Sequence, residues 1–495
     1  MIWRLVVRGP LYLLLSLLCI ACTSSRSQGP RPIEFVVNST VETLDPRHLI
    51  DATSLRATRL IHAGLARLDP VTMRPIPCLA ESWDWRTNTE LHVVLRSGVR
   101  FHSGKVATAD DVAATLRAFA SSAVSPRLSR VYKHIDRIDV ESPTDLTIHL
   151  SHPHATLLTD LEVPILRADE AASPPRPDGT LDGLGPFVVE SFAASEVRLR
   201  PASFGVDRPP LHAVTIRTIR DETARALRLQ SGRTDIAVNA VSPTLLPAIK
   251  APLDVASRGA VNLTYIALRV DSGVFANAEA RRALSLAINR QLLADTLFAH
   301  FAQPADTLLS PLHWAHRTNA PQLYLPQEAK RIFATLPVRH AELLVSPDRF
   351  RSTLARVMSQ ELADCGFDLQ IVPLEFGAMM ARMQRGDFDA VMLQIPEIAE
   401  PNVLRVFLHS QSIPPHGANR GRINNHRIDE LLEQGEQTIG EEERAAIYTQ
   451  LEQIVRDEMV WVPLWHENHV VVRSERARWF LPSADGRWQG LAKAE

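Results

Sequence analysis

A mixed α/β fold divided into more than one lobe is predicted for this sequence on three observations. Short segments with apolar residues at every second position alternate with stretches of helical periodicity. No repeat of about 20 to 50 residues runs along the chain, which sets solenoids and propellers aside. At roughly 150 residues per domain, 495 residues make about three domains or lobes. The composition, 45% hydrophobic, 22% charged and 6% aromatic, is that of an ordinary globular chain rather than a membrane-embedded or disordered one. Its 54 basic and 56 acidic residues, net −2, exclude a global attraction to nucleic acid or to an anionic membrane. Four cysteines cannot form a disulfide framework in so long a chain.

Taken in order, the first element is an export segment. Arg4 and Arg8 precede an apolar run over residues 11–21, followed by Cys22 and the polar residues Thr23, Ser24 and Ser25. The run is well short of the ~20 residues that span a bilayer, so it predicts a signal peptide over 1–21 rather than an anchor helix. The tetrad Cys19-Ile20-Ala21-Cys22 resembles a bacterial lipobox, with Cys22 as the lipidated residue and Cys19 where leucine is usual. Plain secretory cleavage near Ala21 is the alternative. Removal of 1–21 takes away two arginines and leaves 52 basic against 56 acidic residues. With Thr23 after the cysteine, the resemblance implies outer-membrane sorting in a Gram-negative host. Residues 22–32 form a linker, and Cys78 and Cys365 are expected to be buried small hydrophobes.

Beyond the linker, Leu91, Val93 and Leu95, then Leu146, Ile148 and Leu150, then Val214 and Ile216, alternate as strands do. Thr108 is a good N-cap with Asp111 three residues on, and it places Val112, Leu116 and Phe119 on one helical face. Ala280, Ala283, Leu284, Ala287 and Ile288 follow helical spacing, as do Leu451, Ile454 and Val455. The loop containing Pro174, Pro175, Pro177, Gly179, Gly183 and Gly185 predicts a lobe boundary, and a second break is expected near Pro414 to Gly421.

Several motifs then occur in order. They are Thr43-Leu44-Asp45-Pro46, Ile61-His62-Ala63-Gly64-Leu65, Leu79-Ala80-Glu81-Ser82-Trp83, Gly98 to Lys105 with Phe101, Thr108-Ala109-Asp110-Asp111-Val112, Gly185-Pro186-Phe187, Ser231-Gly232 with Asp235, Arg281-Arg282-Ala283-Leu284, and Gly386-Asp387-Phe388-Asp389. This series resembles the signature of family 5 extracellular solute-binding proteins, the peptide, dipeptide and nickel receptors of bacterial ABC importers, over about residues 33–470. The resemblance implies a two-lobed type II periplasmic-binding-protein-like fold with an extra domain inserted in lobe I. The boundaries expected are 33–50, 181–262 and 465–495 for lobe I, 51–180 for the insertion, and 263–464 for lobe II. Gly98, Gly104 and Gly232 are read as turn glycines, and Trp83 as a docking residue of its strand.

Function then rests on cleft residues. In peptide receptors of the family a tryptophan is followed, after two residues, by an aspartate that pairs with the ligand's ammonium, ahead of an acid-proline pair. Aligning Glu400-Pro401 on that pair sets Glu397 at the aspartate, Gln394 at the tryptophan and Ile398 at an aromatic position. Glu397 and Gln394 are therefore candidate ligand contacts, with solvated loop acids as the plain alternative for Glu397 and Glu400. Trp465 after Pro463-Leu464 is a third candidate, with a core or hinge role as its alternative.

Enzyme motifs are missing: the chain has no Gly-x-Ser-x-Gly, no Walker loop and no His-Glu-x-x-His. His313 with His316, and His466 with His469, sit in segments with strand or proline signals, so neither metal nor cofactor is expected. A DNA-binding relative of the domain would carry a winged helix where the export segment lies. The expectation is a lipid-anchored, monomeric receptor that captures a small solute, an oligopeptide or dipeptide above all. It passes the solute to the permease and ATPase subunits of an ABC importer by hinge closure, without contact to nucleic acid. A secreted hydrolase using the same cleft, or a ligand-sensing signalling lipoprotein, are the rivals.

Overall fold

The chain divides after Pro32, and the fold belongs to the unit Ile33–Glu495. The computed structural model describes residues 31–492 apart from positions 50, 123, 125, 176–179, 194, 306 and 318–322. The expected export segment, most of the linker and Cys22 lie outside the described residues.

Two large sheets organise this unit. The first has seven strands in the order Asp254–Arg258, His469–Arg473, Ile236–Val238, Ile33–Val37, Val214–Thr218, Glu196–Pro201, Phe187–Ala193. Ile33–Val37 pairs in parallel with both Val214–Thr218 and Ile236–Val238, and the other pairings are antiparallel. Along His469–Arg473 the side chains alternate between two cores: Val471 packs with Phe35, Ile216 and Phe480, while Val470 and Val472 pack with Ala237 and Leu246. A strand covered on both faces reads as a continuous apolar run, which explains Val470-Val471-Val472.

The second sheet has six strands in the order Ala302–Pro304, Trp461–Glu467, Leu263–Leu268, Ala390–Ile395, His340–Val345, Asp368–Pro373. Its two faces alternate likewise: Ile266, Leu343, Met392 and Val462 enter one core, and Tyr265, Leu344, Val391 and Trp461 the other. Helix Ala278–Ala287 starts at Asn277, whose side chain accepts the Glu279 N–H, and buries Ala280, Ala283 and Leu284. Helix Glu441–Glu458 opens on Glu441, Glu442 and Glu443 and carries Arg456 in its last turn, the charge order its dipole favours.

A third, four-stranded sheet, Ala80–Thr87, Glu90–Leu95, Asp145–Leu150 and Ile135–Val140, forms the insertion with helix Ala109–Ala120. Thr108 and Asp111 make the capping box that the spacing predicts, and Val112, Leu116 and Phe119 are buried. Leu91, Val93 and Leu95 face the same core.

The boundaries differ from expectation in four places. Helix Ala52–Thr58, assigned to the insertion, instead supplies Ala57, with Leu60 and Ile61 after it, to the core of the seven-stranded sheet. Leu181 and Leu184, assigned to lobe I, pack with the insertion. Strand Trp461–Glu467 lies wholly in the six-stranded sheet, so the chain changes sheet at Asn468 rather than after Leu464. Pro414 to Gly421 is no boundary, because buried Asn419 there bonds the carbonyls of Leu408, His409 and Ile423 within lobe II. Packing, strand pairing and buried hydrogen bonds set these edges, and proline and glycine content reports only where the chain turns. Cys78 and Cys365 are buried free thiols, and burial pushes the Cys78 thiol up to about 11.

Candidate ligand cleft

Two crossings join the large sheets, residues 259–262 and Asn468. They are tied together. The Asn262 amide donates to the Glu467 carbonyl at 2.7 Å, its Oδ1 accepts the Glu467 N–H at 2.8 Å, and its own carbonyl lies 2.5 Å from His466 Nδ1. Paired crossings of this kind allow one lobe to rotate on the other about a few backbone bonds.

Strand Ala390–Ile395 delivers the candidate loop to this region. Past Pro396 the loop is fixed by the buried Ile398, whose N–H donates to the Val261 carbonyl at 2.6 Å. Glu400 then caps the turn Pro401–Leu404 by accepting the Asn402 N–H, and it is paired with Arg444, one contact of which is 3.4 Å. Arg444 also covers the rings of Trp314 and Tyr448. Glu400 is thus a structural ion pair of lobe II, and burial raises its carboxyl despite Arg444.

Glu397 points the other way, onto lobe I. Arg487 Nη2 donates to its Oε1 at 2.8 Å and Arg59 Nη1 stands 3.6 Å from its Oε2. Arg59 follows helix Ala52–Thr58, and its Nη2 donates at 2.8 Å to Glu162 of the insertion. Arg487, 4% exposed, also contacts Glu162 and Asp485. Asp485 is fully buried, accepts from Ser483 Oγ, and is pushed up to about 7 by burial and then by Glu397. Burial, followed by Arg59 and Arg56, lowers Arg487 well below the usual arginine range. With Arg56, which interacts electrostatically with Glu397 and Asp485, three carboxylates and three guanidiniums meet where both lobes and the insertion come together. Burial weakens each ion's hydration, so the set holds only as long as the charges balance.

Gln394 is exposed at the end of its strand, where its amide donates to Thr264 Oγ1 at 3.2 Å. Thr264 donates to Glu467 at 2.6 Å, and Glu467 is gripped by Arg351, one contact being 2.7 Å. Gln394 thus ends a polar chain beside the crossings. Trp465 lies elsewhere: it is fully buried in the lobe II core, 5.2 Å from Phe298 between ring centroids, with its Nε1 donating to the Arg290 carbonyl. Of the three predicted contacts, only Glu397 and Gln394 offer polar atoms at the junction. Arg59, Glu162, Asp485 and Arg487 escape sequence reasoning, because 90 positions separate Arg487 from Glu397 and no local pattern joins them.

The histidine pairs considered from the sequence do not converge: His313 faces the Ala399 carbonyl, His316 that of Leu309, His466 that of Asn262 and His469 the Asn239 amide. Among the described residues, His134, His152 and His154 do converge.

The model of "Bacterial extracellular solute-binding proteins, family 5 Middle" matches residues 74–411. The chain belongs to this family. Its family 5 relatives include the glutathione-binding protein GsiB of Escherichia coli K12, 25% identical over 486 residues that cover 93% of this chain and 94% of the relative. The fold is shared with NikA of Brucella suis, solved with Fe(III)-EDTA, at a TM-score of 0.84 and 19% identity over 94% of this chain and 100% of that one. It is shared also with the oligopeptide-binding protein AppA of Bacillus subtilis, solved with a nonapeptide, at a TM-score of 0.78 and 19% identity over 94% and 99% of the two chains. The seven-stranded and six-stranded sheets are therefore lobes I and II of an extracytoplasmic solute-binding receptor. No helix among the described residues is long and apolar enough to cross a membrane.

Proposed function

We propose that this family 5 receptor binds a short zwitterionic peptide between its lobes and presents it, closed, to the permease of an ABC importer. The observation that carries the reading is Glu397, an acid on the lobe II loop that meets Arg59 and Arg487 of lobe I. A peptide entering there exchanges charge for charge: its ammonium takes the place of an arginine at Glu397, and its carboxylate takes the place of Glu397 at Arg59. No buried ion is left alone, which is the condition for such an exchange to cost little. Glutathione binding by GsiB and nonapeptide binding by AppA lend support. Gln394 extends the contact along the rim, and no bond of the solute is made or broken.

Titration calorimetry with free and N-acetylated forms of one tripeptide tests this. Acetylation removes one partner of a desolvated pair and should weaken binding by roughly 2–5 kcal/mol, about thirtyfold or more. Glu397→Gln should abolish the difference between the two forms. Equal affinity of both forms for the unaltered protein would end the reading. Glu400→Gln is no neutral control, since Glu400 is paired with Arg444.

We further infer that the mature chain is a monomer held to a membrane by acylation of Cys22, the outer membrane in a Gram-negative host. Intact-mass analysis should find acyl chains that Cys22→Ser removes, and fractionation should locate the protein. An unmodified Cys22 would overturn the anchor alone.

A further inference from the structure

His134 immediately precedes strand Ile135–Val140, and His152 and His154 follow its antiparallel partner Asp145–Leu150. The two segments are fixed against each other where the Ser151 N–H donates to the His134 carbonyl at 2.9 Å. The ring of His134 sits between the other two, 4.4 Å from each centroid, and one imidazole nitrogen of each histidine lies within 4.8 Å of the other two. His154 is buried, His134 and His152 half-buried.

The ring hydrogen bonds of this cluster go to hydroxyls, His152 Nδ1 to Ser151 Oγ and His154 Nε2 to Thr156 Oγ1, both at 3.0 Å, and do not account for three imidazoles gathered together. His154 Nδ1 is buried and has no hydrogen-bond partner. Both nitrogens of that ring nevertheless lie near an acid: Nε2 bonds to Thr156 Oγ1 at 3.0 Å with Asp160 at 3.5 Å, and Nδ1 lies 3.7 Å from Glu436 of lobe II. Whichever nitrogen served as a ligand, the other would face a carboxylate, the arrangement that orients metal-bound histidine. Thr156 Oγ1 holds Asp160 at 2.5 Å, so that acid is itself fixed. Two cations stand near His134: Lys133, its exposed chain neighbour, and Arg405, which is engaged by Glu433 and Glu436.

We propose that His134, His152 and His154 bind a divalent transition ion of borderline softness, with zinc as the reference. Imidazole suits Zn²⁺, Ni²⁺ and Cu²⁺, whereas Ca²⁺ and Mg²⁺ select oxygen donors. Tetrahedral zinc at about 2.0–2.1 Å from each nitrogen would draw the nitrogens to about 3.3 Å apart from the 4.8 Å within which they lie. The site also joins two parts of the protein. The Ala155 N–H donates to the Glu436 carbonyl at 2.8 Å, so the ion would lie at the contact between the insertion and helix His426–Gln437 of lobe II, with the Glu436 carboxylate drawn toward its charge. The proposal is independent of which solute the cleft takes.

Zinc alone, titrated by calorimetry into the metal-stripped, tag-free protein, tests it. One equivalent should bind, and His134→Gln and His152→Gln, both half-buried, should each weaken binding tenfold or more. Glu436→Gln should weaken it by about 10–100-fold, as loss of an orienting carboxylate does. His426→Gln, at a histidine 89% exposed, should change nothing. Absence of a one-equivalent event, or an event that survives His134→Gln and His152→Gln, would overturn the site.

Discussion

Trp465 shows how far a single side chain can be placed from sequence. Its position after Pro463-Leu464 suggested a cleft aromatic, yet it lies fully buried on Phe298 with its indole N–H satisfied by Arg290. Trp465→Ala should therefore destabilise the fold by about 3–5 kcal/mol, the cost of emptying a large aromatic site, while Trp465→Phe costs less. Urea denaturation measures both. A variant that keeps its stability and loses solute affinity would return Trp465 to the cleft. Glu397 and Glu400 teach the complementary lesson. Both are legible as loop acids next to proline, but the partners that separate their roles, Arg487 for one and Arg444 for the other, lie 90 and 44 positions away. The three histidines escaped for the same reason, since only the pairing of two strands brings His134 to His152 and His154.

Elements were more legible than their assignments to lobes. Period-two alternation marked Glu90–Leu95, Asp145–Leu150 and Val214–Thr218, and helical spacing marked Ala109–Ala120, Ala278–Ala287 and Glu441–Glu458. The lobe of helix Ala52–Thr58 is not legible in the sequence, because lobe membership depends on which core receives Ala57, Leu60 and Ile61, and composition is silent on that. The junction between lobe I and the insertion is close-packed backbone. A Cβ on Gly185 would come within 2.6 Å of the Ile61 carbonyl carbon and 2.8 Å of the His62 nitrogen, atoms that cannot rotate aside. Gly185→Ala should cost about 1–3 kcal/mol through overpacking. A thermal midpoint equal to that of the unaltered protein would show that the two parts separate more freely than this packing allows.

The whole molecule should be acid-sensitive. His62, His313 and His469 are pulled down to about 3 and His466 to about 4, in each case first by burial. Below an unfolded value of about 6.5 the unfolded chain takes up protons that these folded histidines refuse, so stability falls as pH drops from about 6.5 toward 4. Asp485 and Glu361, each raised to about 7 chiefly by burial, act in the opposite sense: the folded chain keeps their protons between about 4 and 7. His102 and His134 are lowered as well, and Glu400 and Glu452 are raised, so six histidines against four acids leave a net loss on acidification. Urea midpoints at pH 7 and pH 5 should differ in favour of pH 7, and a midpoint that rises at pH 5 would contradict these burial assignments.

At the same scale, two doubly covered sheets are joined by two tied crossings, and the Glu397 to Arg487 contact is the charge pair that we propose a solute enters as the lobes close on it. The most direct test of that account is native mass spectrometry of the ligand-stripped protein against an equimolar library of di- and tripeptides that includes glutathione. One peptide should be retained per chain, drawn from a subset with free amino termini. A spectrum of unliganded protein at every library concentration up to ~1 mM, where even the weakest specific affinity near −4 kcal/mol would register, would contradict it.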